Sequence, residues 1–215
     1  MTTVNNEQLR ERIGEDRIVA ILRGTDIDAT VAAARTLIDT GITVLEVALT
    51  LEGAEEAIAQ IVADAPEHAL VGAGTVLTEA DVDRAVGAGA QFMVTPTLTA
   101  SVDHAIRQGI GVLPGVFTPT EIQRGLELGA AAVKLFPAGQ LGAGFIQAVR
   151  GPFPDARIIP VGGVWVESIP AFFTAGAFGV GVGGPLVDDA ARHGGDLRKL
   201  AKRAAKLRRA VEEAT

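Results

Sequence analysis

Short apolar runs alternate with alanine-rich helical stretches along the whole chain, and that alternation leaves few folds open. Ile18–Arg23, Thr43–Leu49, Ala69–Ala73, Gln91–Thr95, Gly111–Pro114, Ala131–Phe136, Arg157–Val161 and Phe178–Gly183 read as strands. Between them Ile27–Thr40, Gly53–Ala65, Glu79–Ala88, Ala100–Gln108, Thr120–Leu128, Gly144–Val149 and Val166–Thr174 read as helices. The strand–helix unit recurs roughly every 20–26 residues. Strands joined through helical crossovers lie parallel, because each helix carries the chain back to the edge where it started. Gly41, Gly89, Gly109, Gly129 and Gly176 each follow a helix and precede the next strand, where a left-handed turn is easiest for glycine. Eight such units predict a closed (β/α)8, or TIM, barrel, with Asn5–Ile13 as an extra N-terminal helix. A doubly wound open sheet is the alternative. No linker or low-complexity segment interrupts the pattern, so 1–215 reads as a single domain, a size that such barrels reach as one unit.

Composition narrows the chemistry. There is no cysteine, which excludes disulfides, thiolate catalysis and cysteine-bound metals. His68, His104 and His193 are scattered without ligand spacing, and no glycine-rich nucleotide fingerprint is present, so neither a metal nor an organic cofactor is expected. The first residues lack a basic segment followed by an apolar one, and no run approaches the roughly 20 apolar residues of a membrane span. A soluble, cytoplasmic protein without a membrane partner is expected. The net charge of −7 argues against a nucleic-acid surface. Arg198, Lys199, Lys202, Arg203, Lys206, Arg208 and Arg209 cluster near the C-terminus, but Leu197, Leu200, Ala201, Ala204, Leu207 and Val211 recur there at helical spacing. These charges read as the solvated face of a docked helix.

Lys134 sits where a lysine is costly, in the apolar run Ala131–Pro137. Burial disfavours the ammonium form, and a neutral amine attacks ketones. Side-chain alternation puts Lys134 on one face with Ala132 and Phe136, and Glu46 on one face with Val44, Ala48 and Thr50. If both faces line the barrel, a carboxylate and an amine project into one apolar space. Arg23 ends the first strand, and Thr75 follows the third in Gly72-Ala73-Gly74-Thr75, where the glycines would let a ligand approach the backbone. Each residue also has a structural reading: a solvated lysine head or a buried Lys134–Glu46 ion pair, a bridging Arg23, a helix-capping Thr75. Val161-Gly162-Gly163 and Gly181-Val182-Gly183-Gly184 follow the last two strands, where barrels commonly bind phosphate. Tight turns are the alternative there.

Ile18–Arg23, Leu45-Glu46-Val47, Gly72–Val76, Val94-Thr95-Pro96, Pro114-Gly115-Val116, Lys134-Leu135-Phe136-Pro137 and Gly151-Pro152-Phe153-Pro154 together resemble the 2-keto-3-deoxy-6-phosphogluconate (KDPG) aldolases. The resemblance covers nearly the whole chain in order. It implies a class I aldolase, a homotrimer, that splits a 2-keto-3-deoxy sugar acid phosphate into pyruvate and glyceraldehyde 3-phosphate. Several members also cleave 4-hydroxy-2-oxoglutarate to pyruvate and glyoxylate. By position Lys134 matches the family's Schiff-base lysine, Glu46 its acid/base carboxylate, Arg23 and Thr75 its carboxylate-holding residues, and the two glycine loops its phosphate site. Thr50, Pro96 and Phe136 complete the expected substrate-binding set.

Three positions depart from the pattern. Thr50 stands where many members carry arginine, and Gly184 where serine is common. Val161 stands where gluconate-type members have threonine and the 2-dehydro-3-deoxy-6-phosphogalactonate aldolases have valine, which leaves the C4 stereochemistry open. A phosphate-binding barrel isomerase or epimerase, and a catalytically silent assembly protein, are the readings from other classes.

Overall fold

The computed structural model describes residues 2–215. Its strands are β1 Ile18–Leu22, β2 Val44–Ala48, β3 Leu70–Gly74, β4 Phe92–Val94, β5 Gly111–Leu113, β6 Gly115–Val116, β7 Val133–Leu135, β8 Ile158–Pro160 and β9 Val180–Val182. All pairings are parallel, in the orders β5-β4-β3-β2-β1-β9 and β6-β7-β8. β5 is the expected fifth strand, and β6 continues it beyond the expected end at Pro114. Pro114 lies between them and has no N–H to donate, so the chain passes its pairing from β4 to β7 at that point. On the other side Phe178 N–H donates to Ile158 O at 2.8 Å and Val161 bridges Gly181, joining β8 to β9. The ring therefore closes as an eight-stranded barrel, and the open sheet is set aside.

The helices fall between the strands as the pattern requires. α1 Asn6–Asp16 precedes β1, followed by α2 Ile27–Asp39, α3 Ala54–Asp64, α4 Glu79–Gly87, α5 Ala100–Arg107 and α6 Pro119–Glu127. α7 Ala138–Leu141, α8 Ala143–Arg150, a 3-10 turn at Val166–Ser168, α9 Ile169–Thr174, α10 Gly184–Val187 and α11 Leu197–Glu212 complete the chain. α7 and α10 are single turns, too short to show a hydrophobic period in sequence. The five glycines expected at helix ends all have positive φ, from 72° to 93°.

Parity divides the apolar residues into two layers. Ala20, Leu22, Leu45, Val47, Val71, Ala73, Val133 and Leu135 face the helices, whereas Val19, Ile21, Val44, Leu70, Phe92, Leu113, Ala132 and Ile159 fill the barrel interior. α1 closes the N-terminal mouth. Leu9 and Ile13 join the interior cluster, and the Asn6 side-chain oxygen accepts from the N–H groups of Val112 (2.8 Å) and Ala131 (3.1 Å). At the other end of the chain α11 buries Leu200, Ala204, Leu207 and Val211 as expected. Its basic face is not wholly solvated, however. Arg203 donates to Leu186 O (2.6 Å) and Val187 O (3.0 Å), and Arg208 donates to Thr40 O (3.0 Å), because both reach carbonyls at neighbouring helix ends, where the helix itself supplies no donor. Among the described residues no helix is long and apolar enough to cross a membrane.

Candidate active site

Lys134 and Glu46 come from β7 and β2, four barrel strands apart and so on opposite sides of the ring. Both point inward, and their side chains meet near the middle with Lys134 Nζ 3.6 Å from Glu46 Oε1. Lys134 is 7% exposed and Glu46 2%, so the reading of a solvated lysine head is excluded. Room for this pair comes from β3. Glu46 is in register with Gly72, and a Cβ on Gly74 would lie 2.8 Å from Glu46 Oε1. A Cβ on Gly72 would lie 2.6 Å from the buried Phe92 ring. These two glycines therefore make space for the protein's own side chains, which corrects the expectation that they admit a ligand to the backbone.

Burial pushes the Glu46 carboxyl above the usual carboxylate range, against the opposing pull of the Lys134 and Arg23 charges. Glu46 Oε2 is buried without a hydrogen-bond partner. A carboxyl with raised proton affinity and one unengaged oxygen is suited to taking and returning protons. The Phe136 ring lies over the amine, its centroid 5.6 Å from Nζ.

Above the pair opens a cavity of about 410 Å³, within the range of small-molecule sites. Its wall includes Arg23, Thr75, Pro96, Lys134, Phe136 and Val161, together with Gly183 and Gly184. It thus lies at the C-terminal ends of the strands, where barrel active sites form. Thr75 does not cap α4, a role taken by Thr78. Instead Thr75 holds φ 60°, an uncommon conformation for a β-branched residue, of the kind that clusters at functional sites.

Three sequence candidates lie outside that wall. Thr50 is exposed in the turn after β2. Gly162 and Gly163 stand behind it: a Cβ on Gly162 would lie 2.9 Å from the Phe136 ring, itself part of the wall, and Gly163 abuts Gly139. Conversely, the wall contains Val187, Asp188 and Arg192, which the sequence pattern did not single out. They follow the single turn α10, and only the position of that turn after β9 could have pointed to them. Among the described residues no three His, Asp or Glu side chains gather as a metal site.

A family model described as "Aldolase: KDPG and KHG aldolase" matches residues 9–203. The chain is 36% identical over 199 residues to the 2-dehydro-3-deoxy-6-phosphogalactonate aldolase of Escherichia coli K12, covering 92% of this chain and 95% of that one. The chain belongs to the KDPG and KHG aldolase family. It is an aldolase of class I, a carbon–carbon lyase. Within the family it is also 35% identical over 164 residues to the 2-dehydro-3-deoxy-phosphogluconate aldolase of Treponema pallidum, covering 75% of this chain and 78% of that one. A solved structure described as native KDPGal superposes with a TM-score of 0.85 at 35% identity, covering 92% of this chain and 95% of that chain. Membership sets aside both the barrel isomerase and the silent assembly protein.

Proposed function

We propose that the protein cleaves 2-dehydro-3-deoxy-6-phosphogluconate to pyruvate and glyceraldehyde 3-phosphate through an imine on Lys134, and 4-hydroxy-2-oxoglutarate to pyruvate and glyoxylate by the same chemistry. The observation that carries this reading is the buried amine on the cavity floor, 3.6 Å from the Glu46 carboxyl. The neutral amine adds to the C2 ketone, and loss of water leaves a protonated imine. Glu46 takes the C4 hydroxyl proton, directly or through one water, and the C3–C4 bond electrons pass into the imine as the aldehyde leaves. The resulting enamine is protonated at C3 and hydrolysed to pyruvate and the free lysine. Arg23, with its planar donor fork, and Thr75 hold the carboxylate beside the amine, while Phe136 shields the imine from water.

A second reading is favoured by Val161, whose side chain faces the cavity without a hydroxyl. It cannot read the C4 hydroxyl, so 2-dehydro-3-deoxy-6-phosphogalactonate is also a substrate. The homotrimer belongs to the same proposal; exposed Leu77 and Phe117, on the loops after β3 and β6 at one face of the barrel, support an apolar contact between copies. Incubation with pyruvate and borohydride tests the chemistry, and mass spectrometry should place a reduced pyruvyl group on Lys134. No adduct, or one on another lysine, refutes the mechanism, and loss of turnover on chelation refutes the metal-free route.

A further inference from the structure

We infer that Arg192 is a specificity-determining residue that holds the phosphate end of the substrate, an assignment resting on the function proposed above. The substrate class carries an anion at each end. With C2 bonded to Lys134, the C1 carboxylate is one bond away and the phosphate on C6 is four carbons further along the chain. Two arginines, Arg23 and Arg192, share the cavity wall with Lys134. Arg23 directly follows β1 and lies close enough to the reacting pair for its charge to lower the proton affinity of Glu46. Arg192 lies at the rim, on the segment after α10, beside Gly183 and Gly184. The distances along the substrate therefore sort the arginines, the inner one to the carboxylate and the outer one to the phosphate.

The rim segment is built to present that side chain. Arg192 N–H donates to Asp189 O (3.0 Å), its carbonyl accepts from Gly195 N–H (2.9 Å), and the neighbouring Ala191 is buried with its carbonyl held by Thr25 N–H (3.1 Å). Among the described residues no hydrogen bond or ion pair engages the Arg192 guanidinium. Asp188, also in the wall, would repel a phosphate, but it and Asp189 face Arg203 at 3.8 and 3.7 Å. Arg203 thus offsets the acids and, through its bonds to Leu186 O and Val187 O, fixes the turn between Gly184 and Arg192. Gly184 has no hydroxyl to give a phosphate. A guanidinium supplies charge and a paired donor fork instead.

The test compares the natural protein with Arg192→Gln and Arg192→Lys. The readout is the ratio of kcat/KM for 2-dehydro-3-deoxy-6-phosphogluconate to that for unphosphorylated 2-dehydro-3-deoxygluconate. For a charged hydrogen bond at an exposed rim, the ratio should fall by about tenfold in Arg192→Gln, through KM, with Arg192→Lys between the two. Calorimetric binding of glycerol 3-phosphate, which involves no imine, should weaken in the same order. A ratio that changes by less than about twofold, a loss confined to kcat, or unchanged glycerol 3-phosphate binding overturns the assignment. Failure of the natural protein to trap pyruvate would instead overturn the imine reading, while the glycerol 3-phosphate measurement would still decide the role of Arg192.

Discussion

Gly74→Ala tests whether the placement of Glu46 governs turnover. An added Cβ would lie 2.8 Å from Glu46 Oε1, 2.9 Å from its Cδ and 3.3 Å from its Cγ. Carbon contacts are ordinarily about 3.5 Å or longer, so the carboxyl must retreat by roughly 0.6 Å. That shift moves a side chain that is only 2% exposed, and it moves Oε1, the atom facing Lys134. A displacement of about 1 Å at a reacting group can cost about 10²-fold, so this smaller one should lower kcat by about 10- to 10²-fold. That corresponds to ~1.4–2.7 kcal/mol added to the barrier. The assay is pyruvate release at saturating substrate, with borohydride trapping of pyruvate alongside. Trapping should persist, because the Lys134 backbone and its register with Gly115 and Ile159 are untouched. Gly72→Ala is the matched control. Its Cβ would meet three carbons of the buried Phe92 ring at 2.6–2.7 Å, so it should cost about 1–3 kcal/mol of stability by overpacking, with a smaller effect on kcat of the folded enzyme. Gly74→Ala with kcat within about twofold of the natural protein would refute a positioned Glu46 as the proton-transfer group.

Other predictions address the remaining parts of the site. Glu46→Gln keeps the shape but removes the base, and turnover measured by pyruvate release should fall by about 10²–10⁴-fold. The raised Glu46 affinity also has a pH signature: the native state holds this proton more tightly than the unfolded chain does. The stability it contributes is fully present below the ordinary value of 4.5 and is lost as pH rises through the higher native value. Urea midpoints of the natural protein and Glu46→Gln, taken from below pH 4.5 to neutrality, should therefore shift in favour of the variant as pH rises. A pH-independent difference would refute the burial effect. Val161 cannot pair with a C4 hydroxyl, so kcat/KM for the gluconate and galactonate epimers should differ by less than about tenfold. Val161→Thr should widen that gap, and Gly184→Ser should lower KM for phosphorylated substrates more than it changes kcat.

What the sequence revealed, and what it hid, follows from the range of the forces involved. Period and parity are local, so the strand–helix units, the left-handed glycines and the inward faces of Lys134 and Glu46 were legible from residue spacing. The strand break at Pro114 was less so, because a proline ends a ladder only where its N–H would have been needed, and that depends on the neighbouring strand. Gly72 and Gly74 were misread for the same reason. A bare Cα can serve a ligand, a turn or a neighbouring side chain, and only the register of β2 against β3 shows that here it serves Glu46 and Phe92. Arg203 reads as one more charge on a solvated helix until the end of α10 is placed beside α11, where its guanidinium meets the carbonyls of Leu186 and Val187. Arg192 lay beyond any periodic element and carried no pattern of its own. Its position gains meaning under the proposed reaction, in which Lys134 holds one end of the substrate. The substrate would then run from the amine toward the rim, and of the two arginines in the cavity wall Arg192 follows α10 and shares the wall with Gly183 and Gly184, whereas Arg23 acts on the charge of Glu46.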